Sequence, residues 1–271
     1  MRIALAQISS GTEPGANLTT VRDITRRAAD GGAVLVVFPE ATMCRFGVPL
    51  APIAEAPDGP WADGVRRVAA DCAVTVIAGM FCPADGDRVT NTLLATGPDT
   101  DTRYDKIHLY DAFGFAESRT VAPGREPVTI EVNAVTVGLT TCYDIRFPEL
   151  YVELARRGAR LITVSASWGS GPGKLDQWTL LARARAADTA GFVAAVDQAD
   201  PGQAMRSAGP TGVGGSLLAS PYGDVLAVEG SDPHLLICDV DIDTVDAARE
   251  ATAVLHNRSD SPQADRAESR G

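Results

Sequence analysis

Residues 138–150 read GLTTCYDIRFPEL. A run of small, apolar and β-branched residues ends at Cys142, and Tyr, Asp, Ile and Arg follow at once, before a helical pattern sets in from Phe147 to Arg157. In α/β proteins, functional groups collect just beyond the carboxyl ends of strands. A cysteine at the point where a buried strand turns toward a helix fits that placement, and the segments on either side decide the fold.

Upstream, Val135 to Thr141 is the strand that delivers the cysteine, and Val128 to Val132 pairs with it across an Asn133-Ala134 tip. Val89 to Thr96 and Thr102 to Leu109 also read as strands, with no helix between them. The first eighty residues alternate instead. Arg2 to Ile8 is a strand, and Val21, Ile24 and Ala28 mark one face of a helix that stops at Gly31-Gly32. AVLVVF (33–38) is a buried strand, Trp61, Val65, Val68 and Cys72 mark the buried face of a second helix, and AVTVIAGM (73–80) is a second buried strand.

Downstream, RLITVSA (160–166) and FVAAVDQ (192–198) are strands flanking a long helix from Leu175 to Thr189. GGSLLAS, Pro221-Tyr222-Gly223 and VLAV form a late hairpin, LLICDV closes the sheet, and a turn or two of helix follows Asp243. Helix-separated buried strands together with adjacent strand pairs place the chain in the α/β class, as a mixed sheet system packed by helices. No linker, low-complexity segment or 20–50-residue repeat divides it. The expectation is one domain over 1–255 and a polar, flexible tail over 256–271.

Composition narrows the function. The chain has 271 residues, 45% apolar and 22% charged, with a net charge of −11 from 24 basic and 35 acidic residues. Such an acidic surface argues against nucleic acid or an anionic membrane as partner, and AVLVVF is far too short to span a bilayer. The five cysteines, at 44, 72, 82, 142 and 238, include no CxxC pair. An odd number in a chain of this length predicts reduced thiols and a cytoplasmic protein.

Three strand ends carry reactive groups: Glu40 after AVLVVF and Pro39, Lys106 in RYDKIHLYD, and Cys142. Alone, each has an ordinary reading as a loop acid, a solvated charge or a small buried hydrophobe. Together they complete one mechanism. A cation and a helix N-terminus favour a thiolate, a buried carboxylate with a raised pKa moves protons, and an ammonium stabilises an oxyanion. The rival is a Cys–His dyad, for which His108 is the one candidate, two residues from Lys106 and on its face if the segment is a strand. Cys44, Cys72, Cys82 and Cys238 read as structural, with Cys44 nearer the site than the others.

With VVFPE (36–40), YDKIHLYD (104–111) and TCYDIRFPELY (141–151) in order, the chain resembles the nitrilase, or carbon–nitrogen hydrolase, superfamily. ALAQ, Asn91-Thr92, Glu117-Ser118, the helix QWTLLARARAADTAGFV and PYGDVLA agree, over about residues 1–245. The wording is nearest the amidase-like branch of ω-amidases and deaminated-glutathione amidases. The resemblance implies a four-layer αββα sandwich that pairs into a homodimer or higher homo-oligomer. It also implies a Glu40–Lys106–Cys142 triad, with Glu117 as a supporting second glutamate. Gly214-Gly215-Ser216 stands where many relatives have Gly-His-Ser, and a change of local packing is expected there.

The activity so implied is hydrolysis of a small amide to acid and ammonia through a cysteine thioester, with no metal or organic cofactor. The Tyr143 N–H is expected to assist Lys106 at the oxyanion. Arg146 either binds a substrate carboxylate or braces the turn against Asp144 or Glu149. Trp168 and Phe115 are candidate pocket walls, although aromatics near strand ends are more often core residues. Nitrile hydrolysis, N-carbamoyl-amine hydrolysis and a catalytically silent binding protein are the other readings.

Overall fold

The apolar residues of each strand alternate between two destinations. In the computed structural model, which describes residues 1–202 and 209–258, those destinations are different layers. In β1 (Arg2–Gln7), Ile3 and Leu5 point into a core between two sheets, whereas Ala4 and Ala6 face the helices α1 (Pro14–Asp30) and α2 (Pro60–Cys72). β2 (Leu35–Val37) and β3 (Thr75–Pro83) continue the sheet in parallel. β4 (Val89–Gly97) and β5 (Thr100–Asp105) extend it antiparallel, and the two-residue β6 (Val121–Ala122) pairs with β4.

The second sheet runs in chain order: β7 (Thr129–Val132), β8 (Val135–Thr141), β9 (Leu161–Ala166), β10 (Phe192–Asp197), β11 (Leu217–Ala219) and β12 (Val225–Val228). Its outer face is covered by α3 (Pro148–Arg156) and α4 (Lys174–Thr189), which bury Tyr151, Leu154, Trp178 and Ala182 against Ile162, Val164 and Val193. β13 (His234–Asp239) returns to pair antiparallel with β1, and α5 (Thr244–Thr252) follows. Leu35, Val37, Ile77 and Leu93 of the first sheet meet Val137, Leu139, Leu161 and Val196 of the second. The layers are therefore helix, sheet, sheet, helix: the expected αββα sandwich.

Several expectations need correction. Of AVLVVF only Leu35–Val37 is strand, because the chain turns at Pro39 and Ala41 takes a left-handed φ of 58°. The strand expected over 102–109 ends at Asp105, where the Lys106 N–H makes a last bond to Asn91 O and the chain leaves the sheet. The helix expected over Phe147 to Arg157 is α3, starting at Pro148, a residue suited to the first turn, but a 3₁₀ turn over Cys142–Arg146 separates it from the cysteine. Cys72 is only partly buried. The tail set apart over 256–271 lies, from 259 onward, outside the described residues. Among the described residues no helix is long and apolar enough to cross a membrane.

Candidate active site

Glu40, Lys106 and Cys142, which follow β2, β5 and β8, line one pocket, and Glu117 lines it with them. The turn that carries Glu40 rests directly on β3. A Cβ at Gly79 would come within 2.6 Å of Ala41 N and 2.8 Å of Pro39 O, so only glycine lets the two backbones approach this closely. The buried Glu40 side chain is then fixed from three sides. Its Oε1 accepts from Asn91 Nδ2 at 2.6 Å and Lys106 Nζ at 3.0 Å, and its Oε2 accepts from the Ser167 N–H at 2.9 Å.

Lys106 is as buried as Glu40 and is held by two carboxylates. Besides Glu40, its Nζ donates to Glu117 Oε2 at 2.9 Å and Oε1 at 3.1 Å. Glu117 sits on a 3₁₀ turn over Glu117–Arg119 and is kept facing inward by the Tyr110 N–H, 2.6 Å from Oε2. Asn91 Nδ2 bridges the two carboxylates, lying 3.3 Å from Glu117 Oε1. Cys142 takes a φ of 47°, a left-handed conformation that a non-glycine residue holds only where its surroundings impose it. Its Sγ lies 4.0 Å from Ser167 O.

The cation and helix N-terminus expected to favour a thiolate do not prevail at Cys142. Burial pushes the Cys142 thiol well above its usual pKa, and the charge of Glu40 adds to this against the pull of Lys106. Burial likewise raises the Glu40 carboxyl, opposed by the ammonium. Desolvation works against the Lys106 charge too, but Glu40 and Glu117 outweigh it and hold the amine well above the ordinary lysine range. The α3 N-terminus is six residues on and supplies no dipole at the sulfur. The site therefore holds a neutral thiol beside a buried base and a locked cation.

Farther out, Tyr143, Arg146, Phe115 and Trp168 all line the pocket, as do Tyr110 and Lys174, which sequence reasoning missed. Trp168 has both of its suggested roles: it is part of the core under α4, 5.3 Å from the Trp178 ring, and its edge walls the pocket. The Arg146 guanidinium lies 5.4 Å from the Trp168 ring centre and 5.9 Å from that of Tyr143, and donates to Gln177 Oε1 at 3.0 Å. Its Nε is buried without a hydrogen-bond partner among the described residues. The bracing through Asp144 is not what holds it, since Asp144 is engaged by Tyr104, Thr141 and His108.

His108 faces Asp144 at 2.8 Å and stacks on Phe147 at 3.8 Å between centroids, so a Cys–His dyad finds no support. Asn91 and Ser167 were not singled out as site residues; the only signal was a polar Asn-Thr pair inside an otherwise apolar strand. The Gly-Gly-Ser departure falls where the backbone is left-handed: Gly215 takes a φ of 68°, which favours glycine. Cys44 is buried beside Phe46 and Phe81, with its sulfur 3.5 Å from Thr12 O, in packing that asks nothing of a thiolate. No group of three or more His, Cys, Asp or Glu placed to hold a metal occurs among the described residues.

Comparison with known proteins agrees with this geometry. The family model described as carbon-nitrogen hydrolase matches residues 2–250. A hydrolase of Mycobacterium tuberculosis is 65% identical over 280 residues, covering 100% of both chains. The deaminated glutathione amidase of Escherichia coli is 32% identical over 270 residues, covering 97% of this chain and 98% of its own. Among solved structures, a Xanthomonas campestris protein of the same superfamily, with an arsenic adduct in its active site, superposes with a TM-score of 0.84 at 25% identity, covering 96% of this chain and 98% of that one. Fold, motif order and full-length similarity converge, and the chain belongs to the carbon-nitrogen hydrolase family.

Proposed function

We propose that this protein hydrolyses a small amide to its carboxylic acid and ammonia, with Cys142 as nucleophile, Glu40 as proton carrier and Lys106 as oxyanion partner. The observation that carries this reading is the convergence of a neutral, partly buried thiol, a raised carboxyl and a charged ammonium in the lining of one pocket. As Sγ forms its bond to the amide carbon, its proton passes to the Glu40 carboxylate, and the carbonyl oxygen becomes an oxyanion held by Lys106 and the Tyr143 N–H. The C–N bond breaks as Glu40 returns that proton to the leaving nitrogen. Water, giving its proton to Glu40, then attacks the thioester, and the acid and free thiol are restored.

The outer pocket narrows the substrate. Arg146, near two aromatic rings and with a buried N–H that has no partner among the described residues, suits a carboxylate carried by the amide. The similarity to a deaminated glutathione amidase supports the same class. The exposed apolar side chains of Leu180 on α4 and Leu226 and Val228 on β12 support the expected homodimer.

An ammonia-release panel of ω-amides, deaminated glutathione, aliphatic amides, nitriles and N-carbamoyl compounds tests the reading, with Cys142→Ala as the blank. The expected result is turnover confined to amides, favouring those with a carboxylate, and abolished by Cys142→Ala in a protein that still folds. Turnover retained by Cys142→Ala overturns it. An Arg146→Met variant should raise KM for carboxylated amides on the order of 10-fold or more and leave neutral amides unaffected.

A further inference from the structure

The buried carboxylate of Asp144 belongs to no step of that mechanism, yet it receives donors from both segments that carry the reacting groups. Its Oδ2 accepts from the Tyr104 hydroxyl at 2.6 Å and the Thr141 N–H at 2.9 Å. Its Oδ1 accepts from the His108 N–H at 3.0 Å and lies 2.8 Å from His108 Nδ1, which donates in the tautomer that satisfies both groups. The Tyr104 oxygen in turn accepts from the Ile107 N–H at 3.3 Å.

Two features make this more than ordinary satisfaction of a buried acid. Tyr104, Ile107 and His108 bracket Lys106, which stands just past the end of β5, where a last bond to Asn91 O ties its backbone to β4. The bond to Thr141 spans Cys142 itself, closing the turn in which the nucleophile holds its left-handed conformation. Phe147, stacked on the His108 ring at an interplanar angle of 7°, ties the two segments a second time. One carboxylate thus joins the segment that carries Lys106 to the turn that carries Cys142.

We infer that Asp144 is a positioning residue that locks the Lys106 segment to the Cys142 turn, with Tyr104 and His108 as its arms. This inference rests on the proposed roles of Lys106 and Cys142. Asp144 acts only through them, holding the cation where it lowers the energy of both thiolate and oxyanion. A displacement of about 1 Å at such a contact is enough to cost on the order of 100-fold in rate. Phe115, Trp168 and Lys174, which also wall the pocket, lie on other segments.

The test uses Tyr104→Phe, which keeps the ring in the core and deletes one arm, and Asp144→Asn, which presents an amide N–H to the same donors. Steady-state kinetics on the best amide of the panel, normalised to titrated Cys142, are combined with the pH profile of Cys142 alkylation by iodoacetamide. Expected for Tyr104→Phe are a kcat about 10-fold lower, a KM within about twofold, and an alkylation profile displaced to higher pH as the ammonium loses its hold on the thiolate. Asp144→Asn should carry the same signature further. A Tyr104→Phe enzyme with wild-type kcat and alkylation profile overturns the inference, as does a loss accounted for wholly by a smaller folded fraction. Activity surviving in Cys142→Ala instead points to failure of the underlying mechanism, so the two failures are distinguishable.

Discussion

Glu117 grips the Lys106 ammonium with both carboxylate oxygens, 2.9 and 3.1 Å from Nζ, opposite the single 3.0 Å bond from Glu40. Two carboxylates therefore share one buried cation. This keeps the lysine charged in a place where burial alone would neutralise it. In the proposed mechanism Glu40 carries the proton, and Glu117 contributes only by holding the lysine.

Replacing Glu117 with Gln should expose this division of labour. The variant leaves the buried ammonium with one carboxylate and turns an amide N–H toward it. Removing one partner of a buried ion pair costs about 3 kcal/mol or more, so urea unfolding should show a loss of that order. Turnover should fall on the order of 100-fold as Lys106 loses its position. A variant with wild-type stability and kcat would show that Glu40 alone suffices to hold the lysine.

Gly79 gives a second handle, from the side of the base. An alanine there brings its Cβ against Ala41 N and Pro39 O, both backbone atoms of the turn that aims Glu40. Backbone cannot swing aside as a side-chain tip can, so Gly79→Ala should shift Glu40 while leaving Cys142 in place. The expected outcome is a kcat loss on the order of 100-fold with Cys142 still open to iodoacetamide. Unchanged turnover would mean that the turn yields without moving the carboxylate.

How far the sequence discloses this site follows from the range of the interactions. Glu40 and Cys142 are legible because each follows an apolar strand, which is a local pattern, whereas Lys106 follows the polar β5 and gains meaning only beside them. Glu117 is found only through resemblance, since its inward aim depends on the Tyr110 N–H and on an irregular turn without periodicity. Asn91 and Ser167 reach Glu40 from 51 and 127 positions away, and no local pattern encodes such contacts. The helix after Cys142 is legible from its own periodicity, whereas the 3₁₀ turn of Tyr-Asp-Ile-Arg before it has none and depends on the left-handed Cys142 and the cap by Asp144.

Asp197 makes a prediction about pH. It is fully buried, and burial raises its carboxyl to about 7 although the N–H groups of Val213, Trp168 and Gln198 resist the shift. The folded state then keeps a proton that the unfolded chain releases near pH 4, so stability falls as pH rises between about 4 and 7. The slope reaches about 1.4 kcal/mol per pH unit at most. Asp197→Asn lacks this titration, so the stability of the wild type relative to the variant should decline from pH 5 to pH 7 and level off above. Parallel urea-unfolding curves across that range would place the Asp197 pKa in the ordinary aspartate range.

The turn at Cys142 offers a test that separates strain from chemistry. At a φ of 47° an alanine keeps the contact between its Cβ and the backbone that disfavours the left-handed region, whereas glycine does not. Both Cys142→Ala and Cys142→Gly remove the sulfur, so neither should turn over substrate. Elsewhere in a folded chain the glycine variant would be the less stable, because glycine has more freedom to lose. Here the order should reverse, with Cys142→Gly more stable by about 1 kcal/mol in urea unfolding. That reversal would mean the fold pays to hold its nucleophile in an unfavourable conformation, imposed by the bond from Thr141 N–H to Asp144 across the turn. If Cys142→Ala is the more stable, the turn is relaxed, and the left-handed conformation carries no stored energy.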